Sequence, residues 1–423
     1  MPHTVRAIAM HVLFVHQNFP AQFGHVASYL VKTHGFRCTF VSQLPAGVGD
    51  GVERVRYAVR GGATEATHYC SRSVESAVWH SHAVFEALKA RPDLRPDLIV
   101  GHSGYLSTAF LRELYDCPIV NYFEYYYHTA GSDMDFRPDF PNSELNRLRA
   151  HVRNTVLLLD LECCDLGYSP TVWQRDRLPW TYRPKVRPVF DGIDTTLWHP
   201  RAGVPRRFGA WSVPDGTKLV TYVSRGMESI RGFDVFMKAA NAVCRRRTDV
   251  VFAVVGDDRI CYGGDAEVTG NKSFKQWVLG NDSFDLSRFR FTGTLPAALL
   301  AELLSVTDLH VYLTVPFVLS WSLMNALACG ATVLASDTAP VREVIRDGVN
   351  GLLTDFFDVA AMADRMEEVL DRPQDYKHLG RNGAEMIRDH YSLEVCLPRM
   401  LRLYQDAVTV RGVRAQRSGE APA

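Results

Sequence analysis

The sequence predicts an α/β protein made of two successive parallel-sheet domains, and three observations carry that expectation. Runs such as HVLFVHQ (His11–Gln17), KLVTYVS (Lys218–Ser224) and VVFAVVG (Val250–Gly256) are apolar throughout rather than alternating, as in strands buried on both faces. Amphipathic helical stretches separate such runs, which is the alternation of parallel β/α units. The alternation pauses near residues 190–217 and then restarts, so the chain carries two such series. Its 423 residues suffice for about two domains.

In the first series HVLFVHQ leads into a helix from Gln22 to about Lys32. RCTFVS, a helix near Val74–Lys89, DLIVGH, a helix near Leu106–Leu114 and PIVNYF follow, then a long helix from about Asn142 to Cys163. LGYSPTVWQRDRLP and VRPVFDGIDTTLWHP lead to the junction. The second series runs KLVTYVS, a helix in RGFDVFMKAANAVCRRR, VVFAVVG, FRFTG, a helix over Pro296–Ser305, DLHVYLTV, a helix from about Ser320 to Ala328, and ATVLAS. YSLEVCLPRMLRLYQDAV reads as a last helix. The expected division is a Rossmann-like domain over 1–195, a second over 196–388, a helix over 389–412 that crosses back to the first domain, and a flexible tail over 413–423. The strand ends of the two domains are expected to face each other across a cleft, where open parallel sheets bind ligands.

Composition narrows the function. Lys+Arg and Asp+Glu both number 47, so no bulk charge calls for nucleic acid or an anionic membrane, and any anion site must be local. Nine cysteines without a CxxC pair indicate neither a zinc site nor a disulfide framework. The N-terminus lacks the long apolar stretch and cleavage site of a signal peptide, and no run of about 18 apolar residues occurs. A cytoplasmic location with no transmembrane segment is the expectation. The GxGxxG fingerprint of nicotinamide enzymes is absent. SDMDFRPD clusters Asp133 and Asp135 with a third carboxylate, but without a histidine, and no metal is assigned to it.

Taken in order, HQNFPAQFGHVA, GHSGYL, SPTVWQ, FDGIDTTLWHP, SRGMESIRGFDVFMKA, FTGTLP, PFVLSWSLMNALACG and DTAPVREVIRDGVNGLL resemble the GT-B family 4 glycosyltransferases over nearly the whole chain. The resemblance implies a GT-B fold and transfer of a sugar from a nucleotide-diphosphate donor with retention at the anomeric carbon. It also implies no metal and no cofactor beyond the nucleotide sugar, which is a co-substrate.

Breaking a sugar–diphosphate bond leaves negative charge on the phosphate, so a metal-free site needs fixed cations and N–H groups aimed at the leaving group. Arg225 lies just past the KLVTYVS strand, and Arg231 is expected to begin the next helix. There it would oppose the helix dipole unless an anion binds, and two guanidiniums can grip a diphosphate. The alternative for Arg231 is a salt bridge to Glu228 or Asp234. Ser320, Trp321 and Ser322 open a helix whose N–H groups can hold a phosphate or sugar oxygen, although a plain serine cap has the same sequence. His102 ends a predicted strand, and the resemblance implies that it donates to a hydroxyl of the donor sugar; a packed loop histidine is the alternative. Gln22 stands in a first loop without the glycine pair of many relatives, and either faces the donor or caps the helix. Glu124, Tyr125 and Tyr126 in EYYYH fall on the acceptor side by resemblance. There Glu124 orients a hydroxyl or amine and the rings stack on a substrate, or else the tyrosines pack internally.

The family's usual Glu-(seven residues)-Glu falls, by register, on Phe317 and Asn325. By resemblance the first position contacts the donor sugar and the second the nucleotide ribose. Asn325 can still accept from a ribose hydroxyl, without the charge-assisted strength of a carboxylate. Three functions stay open: a retaining glycosyltransferase acting on a small-molecule or glycan acceptor, in glycan or specialised-metabolite biosynthesis; a related enzyme forming an N-linked or non-glycosidic bond; and a non-catalytic sugar-nucleotide-binding scaffold. Strand-end cations favour catalysis.

Overall fold

A computed structural model of the chain describes residues 10–208, 211–270 and 272–418. The strands are β1 (His11–Val15), β2 (Arg37–Ser42), β3 (Gly47–Gly49), β4 (Val52–Arg56), β5 (Leu98–His102), β6 (Ile119–Tyr122), β7 (Leu166–Ser169) and β8 (Val186–Pro188), then a small hairpin of β9 (Arg207–Phe208) and β10 (Trp211–Ser212). They continue with β11 (Lys218–Gly226), β12 (Val250–Asp257), β13 (Phe289–Gly293), β14 (Leu309–Tyr312), β15 (Val333–Ser336) and β16 (Leu352–Thr354). The helices that bear on the cores and the sites are α1 (Gly24–His34), α2 (Arg72–Lys89), α3 (Glu144–Cys163), α4 (Phe233–Arg246), α5 (Trp321–Ala328), α6 (Val359–Asp371), α7 (Pro373–Met386) and α8 (Leu393–Ser418).

Two compact units result. Of the described residues, the first comprises those up to 129, 143–192 and those from 393 on, and the second comprises those within 130–142 and 193–392. The first unit's sheet has the order β3-β4-β2-β1-β5-β6-β7-β8, parallel except for the β3–β4 pair. The second unit's sheet, β13-β12-β11-β14-β15-β16, is parallel throughout.

The continuous apolar runs have the expected cause. Along β1, Val12 and Phe14 join one buried cluster while Leu13 and Val15 join another, so both faces of the strand are covered. Helix α8 closes the first cluster with Leu397, Met400, Leu403, Tyr404 and Ala407, packed with α1 and the strands of the first unit. It continues past residue 412; residues 419–423 of the expected tail lie outside the described residues.

Three expectations are corrected. The helix expected near Leu106–Leu114 is only a 3₁₀ turn, Ala109–Glu113, because Asp160 takes the Ser107 hydroxyl and the Thr108 N–H that would open it. The segment 130–142 packs in the second unit although it falls within the 1–195 stretch of sequence. Its Arg137 is 5% exposed and forms a bidentate pair with Asp234 on α4, at 2.8 and 2.7 Å. Arg231 does not begin a helix: it ends a 3₁₀ turn, Ser229–Arg231, after which Gly232 at φ +61° breaks the register and α4 starts at Phe233.

Among the described residues no helix is long and apolar enough to cross a membrane.

Candidate active site

In the second unit the functional side chains gather at the C-terminal ends of β11 and β14. The pairing of β11 with β12 shifts register between Val223 and Gly226, an irregularity of the kind that re-aims a side chain at a strand end. Arg225 sits within it, exposed, with Nη1 donating to the Tyr262 hydroxyl at 3.3 Å. The turn that follows is fixed from inside. Glu228 is fully buried, and its Oε1 accepts the N–H groups of Cys261, Tyr262 and Gly263 at 2.8, 2.7 and 2.8 Å. That carboxylate therefore shapes the loop presenting Tyr262. Ser229 is held by Asp265 through both its N–H and its hydroxyl.

Arg231 is 5% exposed. Its Nη1 lies within hydrogen-bond distance of Thr314 Oγ1 at 2.8 Å, the Val318 carbonyl at 3.1 Å and the Tyr312 hydroxyl at 3.3 Å. All three acceptors are neutral, and among the described residues no carboxylate lies within ion-pair distance. The alternative pairing does not form: Asp234 is engaged by Arg137, and Glu228 spends Oε1 on the loop N–H groups while its buried Oε2 lies outside ion-pair distance of Arg231. A desolvated cation without a counter-charge costs several kcal/mol, so this site is electrostatically incomplete.

Tyr312 connects the cation to the α5 terminus, since its hydroxyl also accepts the Ser320 N–H at 3.0 Å. Ser320 is the N-cap of α5 and accepts from Ser322 N at 3.2 Å. Trp321 is 42% exposed in the first turn. Asn325 is half-buried one turn on, and its side chain makes no hydrogen bond to the described residues. Phe317 is buried against Tyr262, ring centroids 5.7 Å apart, with the Arg231 guanidinium 5.6 Å from each ring. Aromatic packing thus fills the place expected for a glutamate.

In the first unit a cavity of about 280 Å³ is lined by His102, Tyr105, Glu124, Tyr125, Tyr127 and Arg153, among others. His102 ends β5. Val15 pairs with Gly101, so His16 and His102 follow side by side on adjacent strands. Their rings lie 5.0 Å apart in nearly parallel planes, with His16 Nε2 3.0 Å from His102 Nδ1. His102 Nε2 is 3.8 Å from Glu124 Oε2. Burial holds the His102 imidazole well below its ordinary value, with His16 adding to the effect, and burial takes His16 down to about 4. Both rings are therefore neutral near pH 7.

Asp160 on α3 anchors the loop after His102, accepting the hydroxyls of Ser103 and Ser107 at 2.6 Å each and Thr108 N at 3.1 Å. Burial pushes its carboxyl up to about 6, against the downward pull of these hydrogen bonds. An unfolded Asp titrates near about 4, so this group's stabilisation is complete below about pH 4 and is lost as pH rises through about 6. Asp160→Asn, which does not titrate, should gain on the wild type by on the order of 2 kcal/mol over that window. Denaturant unfolding of both proteins at pH 4 and pH 7 checks this; a difference independent of pH would refute it.

The structure therefore brings His102, Glu124 and Tyr125 to one cavity, and links Arg225, Arg231 and Ser320 through Tyr262 and Tyr312. Tyr126 does not join them: it packs against the apolar core and the His128 ring, and Tyr127 lines the cavity in its place. Gln22 lies in a 3₁₀ turn, Ala21–Phe23, with Nε2 buried and without a hydrogen-bond partner among the described residues; α1 has no side-chain cap, so the capping role is excluded. Asp135 is used in the capping box of a short helix, accepting Gly131 N and Ser132 N. His16, Tyr105, Arg153, Tyr262 and Tyr312 escaped the sequence reading, whereas Tyr127 falls within its EYYYH stretch. Only His16 carried a signal, as a polar residue closing an apolar strand.

Two α/β units with parallel-stranded sheets define the GT-B glycosyltransferase fold. Solved structures agree: sucrose-phosphate synthase from Thermosynechococcus elongatus superposes with a TM-score of 0.70 at 17% identity, covering 94% of this chain and 98% of that one. Anabaena Alr3699/HepE in complex with UDP-glucose gives 0.63 at 13% identity, covering 94% and 100%. Residues 34–198 match the family described as Glycosyl transferase family 4 group, and residues 205–386 match Glycosyl transferases group 1. The chain belongs to these glycosyltransferases. Curated relatives include alpha-D-kanosaminyltransferase of Streptomyces kanamyceticus, 24% identical over 49% of this chain and 49% of the relative. D-inositol 3-phosphate glycosyltransferase of Thermobifida fusca is 27% identical over 53% and 50%. The matched stretches thus span about half the length of these relatives.

Proposed function

We propose that this glycosyltransferase moves a sugar from a nucleotide-diphosphate donor to a small-molecule or glycan acceptor, with retention and without a metal, in glycan or specialised-metabolite biosynthesis. The observation that carries the reading is Arg231, a buried guanidinium whose hydrogen-bond partners among the described residues are neutral oxygens. As the bond from the anomeric carbon to the phosphate oxygen breaks, charge grows on the diphosphate, and Arg231 with Arg225 and the Ser320 end of α5 supplies the compensating field. These groups perform the neutralisation that a divalent ion performs in other transferases. Retention is the outcome that the resemblance to family 4 implies. His102 Nε2 donates to a sugar hydroxyl. Glu124, Tyr125 and Tyr127 receive the acceptor, Glu124 orienting the attacking hydroxyl or amine.

The test is a melting-temperature panel of UDP-, GDP-, ADP- and TDP-sugars, repeated with EDTA. At about 100 times its dissociation constant a ligand of the native state adds about 2.7 kcal/mol of stability. At least one donor should give a clear upward shift that EDTA leaves intact, with turnover likewise unaffected. A protein that no nucleotide sugar stabilises would defeat the reading; a donor shift that needs magnesium or manganese would defeat its metal-free part.

A further inference from the structure

We propose that His16 is a positioning residue: it donates its Nε2–H to His102 Nδ1 and thereby fixes His102 as a hydrogen-bond donor, through Nε2–H, into the cavity of the first unit. The facing nitrogens are 3.0 Å apart and both rings are buried. Two neutral imidazoles so placed share one proton, because two N–H groups would clash and two lone pairs would repel.

Two arrangements satisfy that rule. In the first, His16 carries the shared proton, its bare Nδ1 accepts the Asn18 N–H at 2.9 Å, and His102 holds its own proton on Nε2. In the second, His102 Nδ1–H donates to His16, and His16 Nδ1–H donates to the Asn18 carbonyl at 3.0 Å. Asn18 serves either arrangement, so it does not decide between them. Glu124 does. Its Oε2 lies 3.8 Å from His102 Nε2, where an N–H is attracted to the carboxylate and a lone pair is repelled. The first arrangement follows, and the chain of donors runs one way, from Asn18 N–H through His16 to His102.

Register supports a dedicated arrangement. His16 and His102 are the first residues beyond the paired Val15 and Gly101, so adjacent parallel strands deliver the two rings to the same level. The aromatic rings of Tyr105 and Tyr122 pack around His102, each 5.0 Å away.

The experiment uses the full chain with ¹⁵N-labelled histidine, assigned with single variants. Imidazole ¹⁵N shifts at neutral pH should show Nδ1 bare and Nε2 protonated on both His16 and His102; a protonated Nδ1 on His102 overturns the proposal. His16→Leu, which cannot donate, should let His102 populate the other tautomer and lower kcat/KM at least about ten-fold. His16→Gln, whose amide can donate, should bring both readouts back toward the wild type. A folded His16→Leu protein with an unchanged His102 tautomer and unchanged kcat/KM also overturns it. The role of the tautomer in sugar transfer rests on the function proposed above, whereas the shifts need no donor or turnover, so the two can fail separately.

Discussion

Arg231→Met is expected to lower kcat and kcat/KM together by two to three orders of magnitude while leaving the melting temperature close to the wild type or above it. The activity loss has the size seen when one oriented donor to a developing oxyanion is removed, about 3–4 kcal/mol. The stability expectation comes from the same residue read in the absence of substrate. Arg231 is desolvated and, among the described residues, has no carboxylate within ion-pair distance, and removing such a charge relieves a penalty of several kcal/mol. Against that stand the two hydrogen bonds that its Nη1 can make, the shortest contacts being to Thr314 and Val318 at 2.8 and 3.1 Å, at about 1.5–3 kcal/mol for each bond to a charged group. The two terms nearly cancel. A residue retained for structure would lose stability on truncation, whereas one retained for an anion loses turnover. Near-normal kinetics would remove Arg231 from the proposed leaving-group site, and a melting temperature lower by about 10 °C would reassign it to the fold.

Arg137→Met should do the reverse, destabilising the second unit by about 3–5 kcal/mol, because it leaves the Asp234 carboxylate buried without a partner. For a unit of this size that corresponds to a fall of roughly 10 °C in melting temperature. The penalty belongs to the orphaned charge rather than to the lost pair. The double variant Arg137→Met with Asp234→Leu should therefore recover most of the loss. Calorimetric scans of the three proteins separate these terms. A double variant no more stable than the single one would show that the pair itself, with its link to the Ser229 carbonyl, is what holds the unit together.

The parts legible in the sequence were those written in local patterns. The doubly buried strands were visible because Val12 and Phe14 face one core and Leu13 and Val15 the other, which forces an unbroken apolar run. The strand-end positions of His102 and Arg225 followed from the same runs. Local reading failed where a distant side chain overrode it. Asp160 converts a helical stretch into a 3₁₀ turn from some fifty residues away, and the φ +61° of Gly232 moves Arg231 out of its helix. Burial, rather than a helix dipole, is therefore what makes an anion favourable beside Arg231. Neighbours across the sheet were invisible for the same reason: nothing in the order of residues says that β1 and β5 are adjacent, so His16 was not connected to His102. Tyr262 is placed by three N–H groups on the buried Glu228 carboxylate, a bond pattern with no sequence signature.

The Arg137–Asp234 pair also bears on how such enzymes can be recombined. The second unit is encoded in two separate pieces of chain, residues 130–142 and 193–392. A chimaera made by exchanging the C-terminal half at the junction would bring in a new α4 while retaining the old segment around Arg137. Unless the donor gene matches at both pieces, the transplanted helix receives a foreign partner for the carboxylate at its first turn. The unit of exchange is therefore a discontinuous pair of segments, and a crossover chosen from the linear map alone divides it.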